Sequence, residues 1–394
     1  MNAATQYIEL FEAERQRIDS HATAPLNDRR PFAAEAFRRL GFPSRKVERY
    51  KYTDVSEAFA PNYGLKLDAE PLQADEQLLR KYYGTLADVE ADGITALNTM
   101  LVQDVVVIHI PAHTTKELPI QLTNTLRSSV PLMQNRRLLV IAEEGAQAQV
   151  ILNDHAEAGQ DFLTTQVTEL FVGEGANVEF YDIEDTHERC HRFHQVFAQV
   201  QAGGRFTHAT FTLAGGLSRN QTDVCLVGPE AQATLLGSAI TNLNQHVDNN
   251  TLIDHRAPEG VSRELYKYVI DQQSTGAFAG RVLVREEAKK TDSIERNANL
   301  VCTDEARMWT QPMLEIYADD VQCSHGSTVG QINDEALFYM RQRGVSDAEA
   351  RMLLKQAFAS EVLAAVPLEP LRLRLAALIE KRFRNCEDCK LCKK

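Results

Sequence analysis

Residues 136–154, RRLLVIAEEGAQAQVILND, and 164–185, TTQVTELFVGEGANVEFYDIED, have the same layout: short runs of β-branched and aromatic residues broken by Glu-Gly-Ala, at 144–146 and again at 174–176. LVQDVVVIHI at 101–110 and HQVFAQVQAGGRFTHATFTLAG at 194–215 belong to the same pattern. Further turns stand at Gly203-Gly204-Arg205, Gly228-Pro229-Glu230 and Pro258-Glu259-Gly260. The turn therefore recurs every roughly 25 to 30 residues, long enough for two or three strands per period. Such a repeat describes coils stacked on one another, a β-solenoid. A large β-sandwich also has short strands between Gly-rich turns, and the spacing leaves both architectures open.

Helical spacing replaces this pattern on both sides. From Thr5 to Ile18 the positions Tyr7, Ile8, Leu10, Phe11 and Ile18 fit a helix with one buried side. Asp28 with Pro31 opens a second, which carries Phe32, Ala36, Phe37 and Leu40 and stops at Gly41 and Pro43. RKVERYKYTD at 45–54 mixes charge with aromatic residues, the composition of a solvated docking segment. Beyond Gly330, Asn333 or Asp334 caps a helix with Leu337, Phe338 and Met340 that ends at Gly344. Ser346 and Glu349 form a capping box for a helix with Ala350, Leu353, Leu354, Ala357, Phe358 and Val362. A third begins near Pro367 and runs through Leu371, Leu375, Leu378, Ile379 and Phe383. The expected organisation is a helical region over 1–96, a β core over 97–330 and a helical module over 331–394.

A net charge of −13 argues against a protein whose task is holding a nucleic-acid backbone. The first twenty residues lack the apolar core of a signal peptide, and no stretch approaches the ~18 apolar residues of a membrane span. A cytoplasmic address is expected. Seven scattered cysteines do not resemble a secreted disulfide framework, so reduced thiols and metal chemistry are the better reading. From Leu371 to Lys394, eight Lys and Arg stand against three Asp and Glu, a basic segment suited to solubility or to an acidic partner surface.

Chemistry concentrates in Leu314 to Gly344, LEIYADDVQCSHGSTVGQINDEALFYMRQRG, where strand-like alternation gives way to a capped helix. On an extended strand Cys323 and His325 project from one face, with Ser324 opposite, and thiolate and imidazole are both competent iron ligands. A buried thiol beside a histidine satisfied by a carbonyl fits the same spacing. No G-x-x-x-x-G-K-[ST], G-x-G-x-x-G, H-E-x-x-H or G-x-S-x-G occurs, so no self-contained active site is recognisable and nucleotide hydrolysis would belong to another subunit. Cys386, Cys389 and Cys392 follow C-x-x-C-x-x-C spacing; three thiolates with an open position suit a transferable cluster or a zinc ion, and an oxidisable segment without metal is the alternative. His187, Cys190, His191 and His194 would share a helical face, but the flanking alternation indicates a strand and structural roles. His246 and His255 read as turn and coil-packing residues, Cys225 and Cys302 as core, and REEAKKTDSIERN at 285–297 as a solvated face. An enzyme reading, a β-helix polysaccharide lyase or hydrolase using Asp319 and Asp320, meets the objection that adjacent strand residues face opposite ways.

DDVQCSHGSTVGQINDEALFYMRQRG at 319–344 resembles the signature of the SufB/SufD family, scaffold proteins of the SUF iron–sulfur cluster assembly system, and the Gly after His325 resembles its SufD branch. FPSRKVERYKYTD at 42–54, HVDNNTLIDHRAPEGVSRELYK at 246–267 and FAGRVLVREEAKKTDSIERNANL at 278–300 fit the same family in the same order, with Tyr50 where the family usually has Trp. The resemblance implies a mainly β fold, a right-handed parallel β-helix flanked by helical regions. It implies a non-catalytic scaffold that pairs with a SufB-like subunit near Cys323 and His325 and binds the SufC ATPase through its C-terminal helices; for the chain alone, monomer and homodimer both stay open. It implies no permanent cofactor in the isolated chain, a transient iron–sulfur cluster at the subunit interface, and a flavin only in the assembled complex. The three cysteines at 386–392 are not part of the family pattern.

Overall fold

The computed structural model describes residues 3–65, 75–157 and 159–384, and in it the repeat becomes two strands per coil. One sheet has nine strands: Gly64–Leu65, Val106–Ile110, Leu132–Ala142, Phe162–Val172, Cys190–Val200, Leu217–Leu226, His246–His255, Thr275–Val284 and Arg307–Ile316. The other has eight: Ile120–Leu126, Gln147–Ala156, Asn177–Asp185, Arg205–Thr212, Gln232–Thr241, Val261–Ile270, Asp292–Val301 and Gln322–Gly330. From Leu132 onward the chain alternates between sheets, and each strand pairs in parallel with the second one along. This is a parallel β-solenoid of about eight coils; a sandwich of hairpins would have paired neighbours antiparallel.

Equal spacing between turns puts like residues above like. Val140, Leu170, Ala198, Val224, Ile253 and Val282 form one column through successive coils, pointing into the space between the sheets. The turn that precedes each strand of the eight-stranded sheet from Gln147 onward contains one residue in the left-handed region. Gly145, Gly175 and Gly203 take it without a Cβ penalty, whereas Glu230, Glu259, Lys290 and Asp320 hold the same conformation in later coils.

The N-terminal helices Ala3–Ser20, Ala24–Leu40 and Gly93–Leu101 cover the outer face of the nine-stranded sheet, burying Tyr7, Phe11, Phe37, Ile94 and Leu97 near Met133, Leu163 and Phe193. The second helix starts at Ala24 rather than beside Asp28, because Pro25 already supplies a helical φ in its first turn; Pro31 lies inside it. Gly41 ends it at φ 59°.

The charged aromatic segment is an anchor rather than a solvated docking segment. Arg49 donates to both Asp223 oxygens at 2.6 and 2.8 Å and to Asn250 at 2.7 Å. Tyr50 is buried under the guanidinium of Arg219, 3.8 Å from the ring centroid, and donates to Asp92 at 2.6 Å. Thr53 donates to Asp248 at 2.6 Å. Arg49→Ala removes a bidentate charge-assisted pair, so protease sensitivity of the N-terminal helices is expected to rise while the solenoid stays intact; an unchanged digestion pattern would show that the segment does not anchor them.

On the opposite side, helices Asp347–Ala364 and Glu369–Phe383 bury Ala359, Val362, Leu371, Leu375 and Ile379 against Tyr181, Phe211, Leu236 and Ile240. Lys267 ties the first of them down through Glu361 and the carbonyl of Phe358. Asn333 and Ser346 cap their helices as their spacing predicts. Helix Asp334–Gln342, which links the last strand to this pair, leaves Phe338 and Tyr339 exposed. Among the described residues no helix is long and apolar enough to cross a membrane.

Candidate functional site

The last strand, Gln322–Gly330, pairs with Asp292–Val301 and is the edge of its sheet. Among the described residues its outer row of N–H and C=O groups has no strand partner, and such a row is a template for another chain. Cys323 stands in register with Ser293 and His325 with Glu295, so both side chains belong to the face that looks between the sheets. Cys323 is half-buried and His325 exposed, since among the described residues no further coil covers them. Burial pushes the Cys323 thiol above its ordinary value. An incoming thiophilic metal would have to displace that proton.

The column ending at His325 changes character along the solenoid. It runs Ile120, Val150, Phe180, His208, Leu235, Glu264, Glu295, His325. Glu264 and Glu295 are buried one strand apart, and both Glu295 oxygens and one Glu264 oxygen have no hydrogen-bond partner among the described residues. Gly280 makes the space: a Cβ there would come within 2.0 Å of Glu295 Oε1. Burial drives both carboxyls far upward, the charge of Glu264 adding to the effect on Glu295, so both are neutral near pH 7. Beside them Asn297, Thr310 and Ser327 form a hydrogen-bonded cluster reaching the last strand, with Thr310 2.7 Å from Ser327.

The reading of 285–297 as a solvated face holds for Arg285, Glu286, Glu287, Lys289, Lys290 and Arg296, which are exposed, and fails at the inward positions of the strand. Ser293, Glu295 and Asn297 point inward and are buried, while Ile294 faces out and is partly exposed.

Deeper inside lies an ionic network. Asp154 accepts from both terminal nitrogens of Arg136 at 2.6 and 2.7 Å, from Arg192 Nε at 2.8 Å and from Asn124 at 2.8 Å. Arg192 also donates to Asp182 at 2.5 Å and to Asn220 at 2.8 Å. Burial opposes ionisation of Asp154 and Asp182, but the guanidinium charges outweigh it and hold both carboxyls well below the usual range. Asn220 continues the chain to Asn249, which donates to Tyr268.

Cys190 and His194 are buried strand residues, and His191 faces the outer side. His255 packs inside, 2.9 Å from Ser262, its pKa lowered by burial to about 4. His246 is held between Thr53 and Thr275. Cys225 and Cys302 are half-buried, Cys225 on the outer face and Cys302 just past a strand end, so neither is a core residue. Asp319 and Asp320 sit in the turn before the last strand, not on it. Cys386, Cys389 and Cys392 lie outside the described residues. Among those described, no group of three or more His, Cys, Asp or Glu is arranged to hold a metal ion.

A family model for the SUF system FeS cluster assembly SufBD core domain matches residues 124–358, and one for the SufBD protein N-terminal region matches 1–77 and 69–122. An iron-sulfur cluster assembly SufBD family protein of Synechocystis is 31% identical over 323 residues, 79% of this chain and 69% of that protein. The iron-sulfur cluster assembly protein SufD of Escherichia coli is 28% identical over 425 aligned positions, 97% of each chain. A SufBD family protein of Mycobacterium tuberculosis is 32% identical over 259 residues, 64% of each.

Proposed function

The chain belongs to the SufBD family of iron–sulfur cluster assembly proteins, and on that premise we propose that it is a scaffold subunit pairing edge to edge with a SufB-like subunit through Gln322–Gly330. The observation that carries this is the open strand edge presenting Cys323 and His325 on one face. An approaching edge strand would satisfy the free backbone groups and bring its own side chains against those two. The imidazole of His325 is exposed and ligates without first losing a proton when neutral, whereas the Cys323 thiol must be deprotonated against its burial. His325 is therefore the main ligand to a transient cluster, and Cys323 the secondary one.

The C-terminal helices are the seat for a SufC-like ATPase. Phe338 and Tyr339 give an exposed aromatic face beside the linker to the last strand, so a push on these helices reaches the strand directly. The chain itself holds no resident cofactor in this reading, and hydrolysis belongs to the partner.

Anaerobic co-purification with SufB-like and SufC-like subunits, followed by iron and acid-labile sulfide analysis, tests the proposal. Wild type is expected to load cluster, and His325→Ala to retain the partners while losing roughly ten-fold or more of the iron and sulfide, the scale of a lost metal-site residue. Equal loading would make His325 structural, and failure of the subunits to associate would remove the pairing itself.

A further inference from the structure

A cleft of about 650 Å³ lies between the anchored N-terminal segment and the outer face of the nine-stranded sheet. Tyr52 from that segment and Trp309 from the last strand of the sheet stack at its wall, with ring centroids 5.9 Å apart and planes at 12°. Trp309 is 37% exposed, so part of its indole stays open to a ligand. The face of such a ring attracts a cation.

The charges around the aromatic pair have the matching sign. Asp54, Glu57 and Glu188 line the cleft against the one guanidinium of Arg45. Asp54 accepts from Ser56 Oγ at 2.6 Å and from its N–H at 2.9 Å, and these bonds hold its carboxyl below the usual range. Glu57 and Glu188 are exposed, and among the described residues no hydrogen bond or ion pair engages either carboxylate. Gln245 also lines the cleft and is 4% exposed. Its amide oxygen accepts from Arg382 at 2.7 Å and from the N–H of Asn242 at 3.1 Å, while its NH2 group has no acceptor among the described residues. An amide donor left in that state takes a carbonyl oxygen from a ligand. Leu243, 49% exposed, adds an apolar lip.

We propose that the cleft receives an arginine side chain from an extended segment of a partner protein, its guanidinium stacked on Trp309 and balanced by Glu57 and Glu188, with a backbone carbonyl of the segment accepting from Gln245. A guanidinium is planar and weakly hydrated, so it stacks on an indole better than the compact, strongly hydrated ammonium of lysine. The acidic lining disfavours a nucleic acid or an anionic lipid surface, and the Leu243 lip suits the side chains that flank an arginine in a protein. This site is separate from Gln322–Gly330 and does not depend on the scaffold reading.

Trp309 is the chain's only tryptophan, so the cleft carries its own reporter. The test titrates the full chain at low salt with the blocked tripeptide acetyl-Gly-Arg-Gly-amide and follows Trp309 emission. A saturable change is expected. The citrulline analogue, of the same shape without the charge, is expected to bind about ten-fold more weakly or worse, and the lysine peptide several-fold more weakly. Glu57→Gln with Glu188→Gln is expected to weaken the arginine peptide by about five-fold or more; both side chains are exposed, so the fold is retained. Absence of a saturable change overturns the proposal. So does equal binding of the citrulline or the lysine peptide, or unchanged affinity in the double variant. Free arginine binding more tightly than the blocked peptide also overturns it, since the cleft would then serve a small molecule rather than a protein segment.

Discussion

Arg192→Met is expected to destabilise the folded chain by about 3–5 kcal/mol, a large fraction of a marginal stability. Arg192 is 2% exposed, and its guanidinium donates to Asp154, Asp182 and Asn220 inside the solenoid. Methionine fills comparable volume, so a cavity is not the cause of the loss. The cost arises because, among the described residues, Asp182 keeps the His194 imidazole and Asp154 keeps Arg136 and Asn124 as donors, and both carboxyls are buried. Their carboxyls, now held low by the paired guanidinium charges, would rise and take up protons. Chemical denaturation at neutral pH measures the effect. Arg192→Met with Asp182→Leu should recover part of the loss, since it removes the stranded charge along with its partner. A single variant within ~1 kcal/mol of wild type would show that the network contributes little.

The second large effect is a pH dependence in the opposite sense from that of most carboxylates. Glu264 and Glu295 are neutral in the fold because burial raises them, whereas in the unfolded chain they ionise near pH ~4.3. Between that value and their raised values the folded state holds more protons than the unfolded one, so stability falls as pH rises. Their contribution is complete below pH ~4.3 and is lost progressively toward alkaline pH. The double variant Glu264→Gln with Glu295→Gln cannot ionise and is expected to lose less stability than wild type between about pH 5 and pH 9, by on the order of 3 kcal/mol. Urea midpoints of both proteins across that range provide the comparison. Parallel curves would mean that the pair is ionised and compensated in the fold. Other groups titrate too, Glu184 being pushed up by burial to about 7, which is why the difference between the two proteins is the informative quantity.

Much of the candidate site was legible because it depends on strand geometry alone. Two residues apart on an alternating stretch share a face, and Cys323 and His325 do so through their register with Ser293 and Glu295. What the spacing could not supply is that, among the described residues, no further coil covers them, which is what leaves His325 exposed and the backbone edge open. Glu264 and Glu295 escaped notice because acidic residues on an alternating strand ordinarily face water. Only the presence of a second sheet across from them, and the gap at Gly280, makes their face the interior. Arg49 and Thr53 stand in a segment whose composition is that of a solvated one; their partners Asp223, Asn250 and Asp248 are 174 to 201 positions away.

The sequence by itself determined the period of the turns and the helix starts. A turn at near-constant intervals fits stacked coils and a sandwich alike, and the parallel pairing is seen only in the structure. Caps such as Asn333 and Ser346 set helix starts through bonds within four residues. These are local rules, and a local reading recovers them. Tertiary structure decided which polar residues are buried and whom they meet. Arg136, Asp154 and Arg192 lie on three different strands and meet only when two sheets close over them. The polarity of a strand face does not by itself say whether that face will be wet, because burial is a property of what packs opposite.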